Sequence, residues 1–411
     1  MSYRFLKLTT IYEECLARFL SENPDSKSLS YAELYDRYVN THFGWADYYP
    51  RILAEMGNIT QEVFSSFELL QKAWARENGI KYSRKWFTDI VFAQVRRFQP
   101  DVLFIEDMYT FDRSFRERLR EVCVRPPFIV GYRGAPTEDF AALSDVDLLL
   151  TCVPHFAQMM KDAGARVAIV PHAFQADVLN AVGPLKRDLD FTFSGSLVLR
   201  DGFHNQRYKL LDRLLTCTPL QVWVSVSQPA PTSSGSRPLQ RLGRGARRIL
   251  KGLGYDPGRK ERKTEEADAG LLQSGSNHSH PWIDKEYANR VHPPIFGLAN
   301  FRMLARSKIS FNNHIDIAED YAGNSRLFEA TGMGACLITD WKRNLAELFK
   351  PDVEIVTYKS AEECCEKVNY LLNHESELEA IARAGQRRTL ENYTFGHRAA
   401  QLDELIRQRL V

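Results

Sequence analysis

Arg326 and Glu329 stand one helical turn apart inside the stretch GNSRLFEATGMGACLITD, positions 323–340. A guanidinium in the first turn of a helix is unfavourable for the helix dipole, but it is well shaped to clamp a phosphate through two parallel hydrogen bonds. A carboxylate three residues later can accept hydrogen bonds from vicinal hydroxyls, as an acid does for a ribose in dinucleotide folds. Gly323 and Asn324 ahead of the helix permit close backbone approach, and the free N–H groups of the first turn point toward whatever lies there. Phosphate and ribose side by side describe a nucleotide. The same spacing also fits an i,i+3 ion pair on the helix surface, and both readings stay open at this stage.

The elements around this motif must place it at the carboxyl end of a sheet. PDVLFIEDM (100–108), PPFIVGYRGAP (126–136), DVDLLLTCV (145–153) and ARVAIVPHAF (165–174) are short apolar runs bounded by turn residues. They read as buried parallel strands, with helical stretches between them. A second alternation begins at LDFTFSGSLV (189–198), continues through the helix HNQRYKLLDRLL (204–215) and the strand LQVWVSV (220–226), and resumes at SKISFNNHI (307–315). The opening motif, ACLIT (335–339), VEIVTY (353–358) and terminal helices complete it. Two such patterns predict two doubly wound α/β domains, whose ligands sit beyond the carboxyl ends of the strands. Residues 1–95 read as mostly helical from three- and four-residue apolar spacing, with many tyrosines and a loop or helix start over Phe43–Tyr49.

Between the strands of the second pattern lies a segment of different composition, 228–280. SQPAPTSSGSRP is linker-like. RPLQRLGRGARRILKGLGY then carries Arg237, Arg241, Arg244, Arg247, Arg248 and Lys251 with no acid. This fits a basic amphipathic helix over 237–253 for an anionic membrane surface or an acidic acceptor, although four glycines weaken it as a helix. A plain surface insertion is the alternative.

Bulk properties exclude several classes. The chain has 411 residues, 44% of them hydrophobic and 26% charged, with a formal net charge of +2. That charge is too small to imply a nucleic-acid binder. Seven cysteines without CxxC pairs fit a reducing compartment and argue against a disulfide framework or a structural zinc site. The N-terminus lacks a signal-type apolar core, and no stretch approaches the roughly 18 apolar residues of a membrane span. A cytoplasmic protein, with peripheral contact at the inner face of the membrane, is the expectation.

The run from GNSRLFEATGMGACLITD through AIARAGQRRTLENYTFGHRAAQL, together with FTFSGSLVLRDGFHNQRYKLLDRLL, resembles the GT-B-fold glycosyltransferases, in particular the CgeB-like branch of the group 1 enzymes. The resemblance spans most of 100–411. It implies an α/β, GT-B-like architecture of two Rossmann-type domains facing a cleft, with an N-terminal helical portion. The expected domains are 1–185 on the acceptor side (helical over 1–95), 186–395 for the nucleotide sugar with the basic insertion at 228–280, and a C-terminal helix at 396–411 crossing back. It implies a sugar transferred from a nucleotide-diphosphate donor to an acceptor hydroxyl, in cell-surface glycan or polysaccharide synthesis, with a glycan, lipid-linked or polymer acceptor. No metal or other cofactor is implied, and no nucleic-acid partner. A nucleotide-sugar epimerase of the same fold, or a sugar-nucleotide binding module without turnover, are the other readings.

Glu329 matches the glutamate that holds the donor ribose. The companion acid eight residues earlier is replaced by Tyr321. Position assigns further donor contacts: Gly195 and Ser196 in FSGS, taken to end their strand, with an ordinary turn as the alternative; His204 and Arg207 opening the next helix, or else a cap and a solvated face; and Asn312, Asn313 and His314 after KISF, or else turn chemistry by Asn. Asn324 joins them beside Arg326. Arg326 would also stabilise the leaving diphosphate. An inverting enzyme needs a base, for which Asp107 is the leading candidate, ahead of Asp139 and His42. A helix N-cap is its structural alternative. Arg133 ends the neighbouring strand. His155 and His172, also near strand ends, read as structural.

Overall fold

The computed structural model describes residues 2–134, 140–198, 205–227, 285–314 and 319–410. Asp139, His204 and the basic stretch 237–253 therefore lie outside the described residues. No described helix is long and apolar enough to cross a membrane.

The chain divides into two compact units, one formed by Met1–Thr192 with Phe296–Val411 and the other by Phe193–Ile295. The strands are β1 (Arg4–Thr9), β2 (Ile59–Phe64), β3 (Val102–Ile105), β4 (Phe128–Tyr132), β5 (Leu148–Thr151) and β6 (Val167–Ile169), then β7 (Leu189–Val198), β8 (Leu220–Ser227), β9 (Val291–His292), β10 (Ser307–Asn312), β11 (Cys336–Asp340) and β12 (Val356–Tyr358). They form two parallel sheets of order β2-β1-β3-β4-β5-β6 and β12-β11-β10-β7-β8-β9. This is the doubly wound α/β arrangement expected from the alternating apolar runs.

The N-terminal 95 residues depart from their mostly helical reading by contributing β1 and β2, one of them beside the sheet centre. The apolar pattern of β1, RFLKLT, is broken by Lys7, and that of β2, ITQEVF, by Glu62. Both side chains are fully buried, with Lys7 Nζ 3.2 Å from Glu62 Oε2 and 2.7 Å from Glu106 Oε2. Lys7 is thus paired with Glu106 and hydrogen-bonded to Glu62, and such partners are the condition under which a strand can bury it. Burial pushes the Glu62 carboxyl up to about 8 against the pull of Lys7. A carboxyl with a raised folded pKa stabilises the fold fully below its unfolded value near 4.5, and that contribution is lost as pH rises through about 8. Wild type is therefore expected to lose on the order of 2 kcal/mol more stability than Glu62→Gln between pH 5 and 8.5. Urea midpoints of the two proteins across that range check it; parallel curves would contradict the assignment.

Three glycines of the opening motif have structural reasons. A Cβ on Gly332 would lie 2.3 Å from the Phe174 ring, and one on Gly323 would lie 2.7 Å from Val153 and 3.1 Å from the Cys152 carbonyl. Gly334 has φ +74°, a left-handed conformation that favours glycine. Gly323, expected to admit a ligand, instead admits the end of β5. The last helix, Phe395–Leu410, packs Phe395, Ala399, Leu402 and Ile406 against Phe5, Val102, Phe104 and Val130 of the first sheet. Tyr3 donates its hydroxyl to Asp403 at 2.7 Å, joining that helix to the start of β1.

Candidate functional site

The helix carrying the motif runs from Arg326 to Gly332 and has no side-chain N-cap. Arg326 Nη1 donates to Glu329 Oε2 at 3.1 Å and to Asn300 Oδ1 at 3.2 Å. The i,i+3 ion pair is therefore formed. It consumes one guanidinium nitrogen and one carboxylate oxygen. Among the described residues, Nε and Nη2 of Arg326 and Oε1 of Glu329 have no partner. Their side chains remain 23% and 21% exposed, so the two readings of this pair are compatible. An arginine pre-oriented by its own glutamate can still present a two-nitrogen edge to an anion.

Around it, the carboxyl ends of β10 and β11 carry a polar network. Asn324 donates to Asn312 Oδ1 at 2.7 Å, and Asn312 donates to Thr339 Oγ1 at 2.9 Å. Asn324 thus braces β10, its side chain committed to a neighbouring amide. Asn313 donates to the Tyr358 hydroxyl at 3.3 Å. His314 is the most deeply held of the group. Its backbone N–H and its Nδ1 reach the same oxygen of Asp340 at 2.9 and 2.8 Å. Lys342 Nζ lies 3.4 Å from the other oxygen. Burial works to raise the Asp340 carboxyl, but His314 and then Lys342 hold it below the usual carboxylate range. An ionised Asp340 fixes the proton on Nδ1. Nε2 of His314 is left buried and, among the described residues, without a partner. Asp340 was missed from the sequence, although an acid closing the run CLITD at a strand's carboxyl end is a readable signal.

The position that lacks the companion glutamate has another use. Tyr321 stacks on His155 at 6.1 Å with an interplanar angle of 5°, and Arg343 covers its ring at 5.4 Å. His155 also meets Glu319 at 3.4 Å. Tyr321 is a packing residue joining the loop after β10 to the helix Pro154–Asp162 that follows β5.

At the carboxyl end of β3, Asp107 accepts the N–H groups of Tyr109 and Thr110 at 3.0 and 3.1 Å and the Thr10 hydroxyl at 2.9 Å. It closes the turn after β3, whereas Asp112 caps the helix that follows. Arg133 lies over the Tyr109 ring at 4.1 Å, and burial, only partly offset by Asp107, brings its pKa down to about 10. Glu106, beside Asp107, was missed; it is 27% exposed and anchored by buried Lys7. His42 pairs through Nδ1 with the Tyr48 hydroxyl at 2.9 Å, its pKa lowered by burial and then by Arg51. His172 Nε2 meets the Tyr132 hydroxyl at 3.1 Å, and that hydroxyl donates to Cys152 Sγ at 3.4 Å. Burial opposes charge on His172, but Cys152, then Glu329 and Glu106, hold its pKa above the ordinary value.

In the other unit, Gly195 and Ser196 lie within β7, which continues to Val198 instead of ending at FSGS. A long strand with hydroxyl and glycine positions explains the difference: a Cβ at Gly195 would meet the Phe193 ring at 2.8 Å. Arg207 donates to the Ser196 carbonyl at 3.1 Å, which brings these two predicted residues together.

Comparison with known proteins bears on the fold. Over its full length the chain resembles sucrose-phosphate synthase from Thermosynechococcus elongatus, with a TM-score of 0.53 at 11% identity over 99% of this chain and 98% of that one. It resembles Anabaena HepE, solved in complex with UDP-glucose, with a TM-score of 0.53 at 11% identity over 99% and 100%. Trehalose 6-phosphate synthase from Burkholderia multivorans gives 0.51 at 10% identity over 99% and 97%. No curated protein sequence matches. The two parallel six-stranded sheets are those of the GT-B fold, and residues 262–404, the span that contains Arg326, Glu329 and Asp340, match the family model described as glycosyl transferase-like.

Proposed function

We propose that the protein transfers a sugar from a nucleotide-diphosphate sugar to an acceptor hydroxyl. The observation that carries this reading is the Arg326–Glu329 pair with its uncommitted guanidinium edge and carboxylate oxygen, standing at the strand ends of a GT-B fold. HepE, of the same fold, was solved with UDP-glucose. Glu329 Oε1 is assigned the donor ribose hydroxyls. Arg326 is assigned the charge that develops on the leaving diphosphate, so that the chain's own cation does the work a metal would otherwise do. His314 and Asn313 are assigned the base or sugar. Gly195, Ser196, His204 and Arg207 keep their phosphate assignment on sequence position alone. For an inverting transfer the acceptor hydroxyl gives its proton to Asp107. We place the protein in the CgeB-like branch, acting in the cytoplasm on a cell-surface glycan or polymer, with 237–253 as its contact with an anionic membrane.

Glu329→Ala is expected to weaken donor binding by about 1–3 kcal/mol, the cost of leaving a hydroxyl pair unaccepted. A thermal-shift panel of UDP, GDP and dTDP on wild type and variant measures this directly, since stabilisation follows affinity. Absence of any shift in wild type, or an equal shift in both proteins, would refute the donor assignment.

A further inference from the structure

A second site lies at the opposite end of the first sheet. Arg4 opens β1, and beside it the edge strand β2 and the helices Glu68–Glu77 and Trp86–Phe98 enclose a cleft of about 210 Å³. It is lined by Arg4, Gln61, Trp74, Gln94, Arg97 and Phe98. Such a volume would hold roughly seven waters at about 30 Å³ each, or one small organic molecule.

The polar side chains of this cleft are uncommitted. Gln94 is 1% exposed, yet among the described residues neither the nitrogen nor the oxygen of its amide has a partner. Buried amides are almost always paired, so an orphan of this kind calls for an explanation. Arg4 donates Nε to the carbonyls of Phe98 and Gln99 at 2.7 and 3.2 Å, and its guanidinium lies 4.5 Å from the centre of the Phe98 ring. That fixes the group while leaving both terminal nitrogens without a hydrogen bond among the described residues. Among the described residues, the side chains of Arg97 and Gln61 make no hydrogen bond or ion pair. Among the described residues no carboxylate lines the cleft; Asp101, the acid next to Arg4, receives the Arg4 backbone N–H at 2.8 Å.

Two positive groups without a counter-charge select an anion, and a fixed guanidinium selects one with several oxygens, such as a phosphate. Two amides, each offering a donor and an acceptor, select groups that both give and take hydrogen bonds, which hydroxyls do. We infer that this cleft binds a small phosphorylated polyol, of sugar-phosphate size, at a site separate from the strand carboxyl ends. Arg4 and Arg97 hold the phosphate, Gln94 and Gln61 pair with hydroxyls, and Trp74 forms an apolar wall.

Isothermal titration of the full chain with glucose 6-phosphate, inorganic phosphate and glucose tests this. Saturable binding of glucose 6-phosphate is expected, at least about tenfold tighter than inorganic phosphate, with no binding of glucose. Arg97→Ala, at an exposed position, is expected to keep the wild-type melting temperature and weaken glucose 6-phosphate at least about tenfold. Gln94→Leu removes the orphan amide, so it should raise the melting temperature while abolishing the preference over inorganic phosphate. No binding of glucose 6-phosphate, equal binding of inorganic phosphate, or undiminished binding by Arg97→Ala would each overturn the inference. So would a Gln94→Leu protein that melts lower and binds normally.

Discussion

Lys7→Met is expected to destabilise the protein by about 3–5 kcal/mol, read as a fall in the urea midpoint at pH 7. Lys7 is wholly buried between Glu62 and Glu106, with its ammonium also donating to Thr9. Methionine keeps an unbranched apolar stem of four heavy atoms and removes the ammonium with its charge and donors. Two carboxyls then face each other in the interior with no cation. Glu62 can respond by staying protonated, since burial already raises its pKa to about 8. Glu106 keeps partial solvent contact but loses its 2.7 Å partner. Breaking a buried pair costs more than the pair itself contributes, because the orphaned group retains its desolvation penalty. A loss of this size is a large share of the 5–15 kcal/mol that holds a typical domain folded. Lys7→Met with Glu62→Leu should recover much of the loss, since replacing both partners leaves less charge uncompensated. A single variant within about 1 kcal/mol of wild type would show that the cluster is hydrated and screened.

This cluster also explains what could and could not be read from the sequence. Strands such as VLFI and LLLT are buried on both faces, so their composition is a continuous apolar run that announces itself. RFLKLT is an inner strand and ITQEVF the edge strand of the first sheet, and each carries an ionisable side chain whose partner is on the other strand. Local pattern has no access to a neutralisation that spans 55 positions of sequence. The same limitation hid Gly323 and Gly332. Gly323, standing before the helix, suggested a ligand approach, whereas the atoms that require a missing Cβ at the two glycines, in Val153, Cys152 and Phe174, come from segments far away in the chain.

The candidate site was legible where chemistry follows position. Strand carboxyl ends are where open α/β sheets bind, and that rule picked Arg326, Glu329, Asn313 and His314. It left Asp340 and Glu106 unnoticed, although each sits at such an end and Asp340 decides how the His314 ring is held. Asn324 and Tyr321 show the converse. Both stand beside the motif, but one is spent on the Asn312 amide and the other on the His155 ring. Polar residues at a binding edge divide into those facing the ligand and those bracing them, and only the three-dimensional partners tell which is which.

Arg326→Ala carries the largest expected effect on activity. A guanidinium that meets the leaving diphosphate does most at the moment the sugar–phosphate bond breaks, when charge on the oxygens is greatest. Removing one such preorganised donor typically costs about 10²–10³ in kcat, while donor affinity in the ground state should change by no more than about tenfold. The fold should survive the change. The Arg326–Glu329 pair is 23% and 21% exposed, and partly exposed pairs contribute only about 0–1 kcal/mol. Glu329 then loses its orienting partner but stays in place on the helix. Arg326→Lys restores the charge without the two-nitrogen edge, so it should recover only part of kcat. Turnover with UDP, GDP or dTDP sugars, set beside Kd for the matching diphosphate, separates the two effects. If Kd and KM rise while kcat stays at the wild-type value, Arg326 is a holder of the donor and the leaving-group role belongs to another cation.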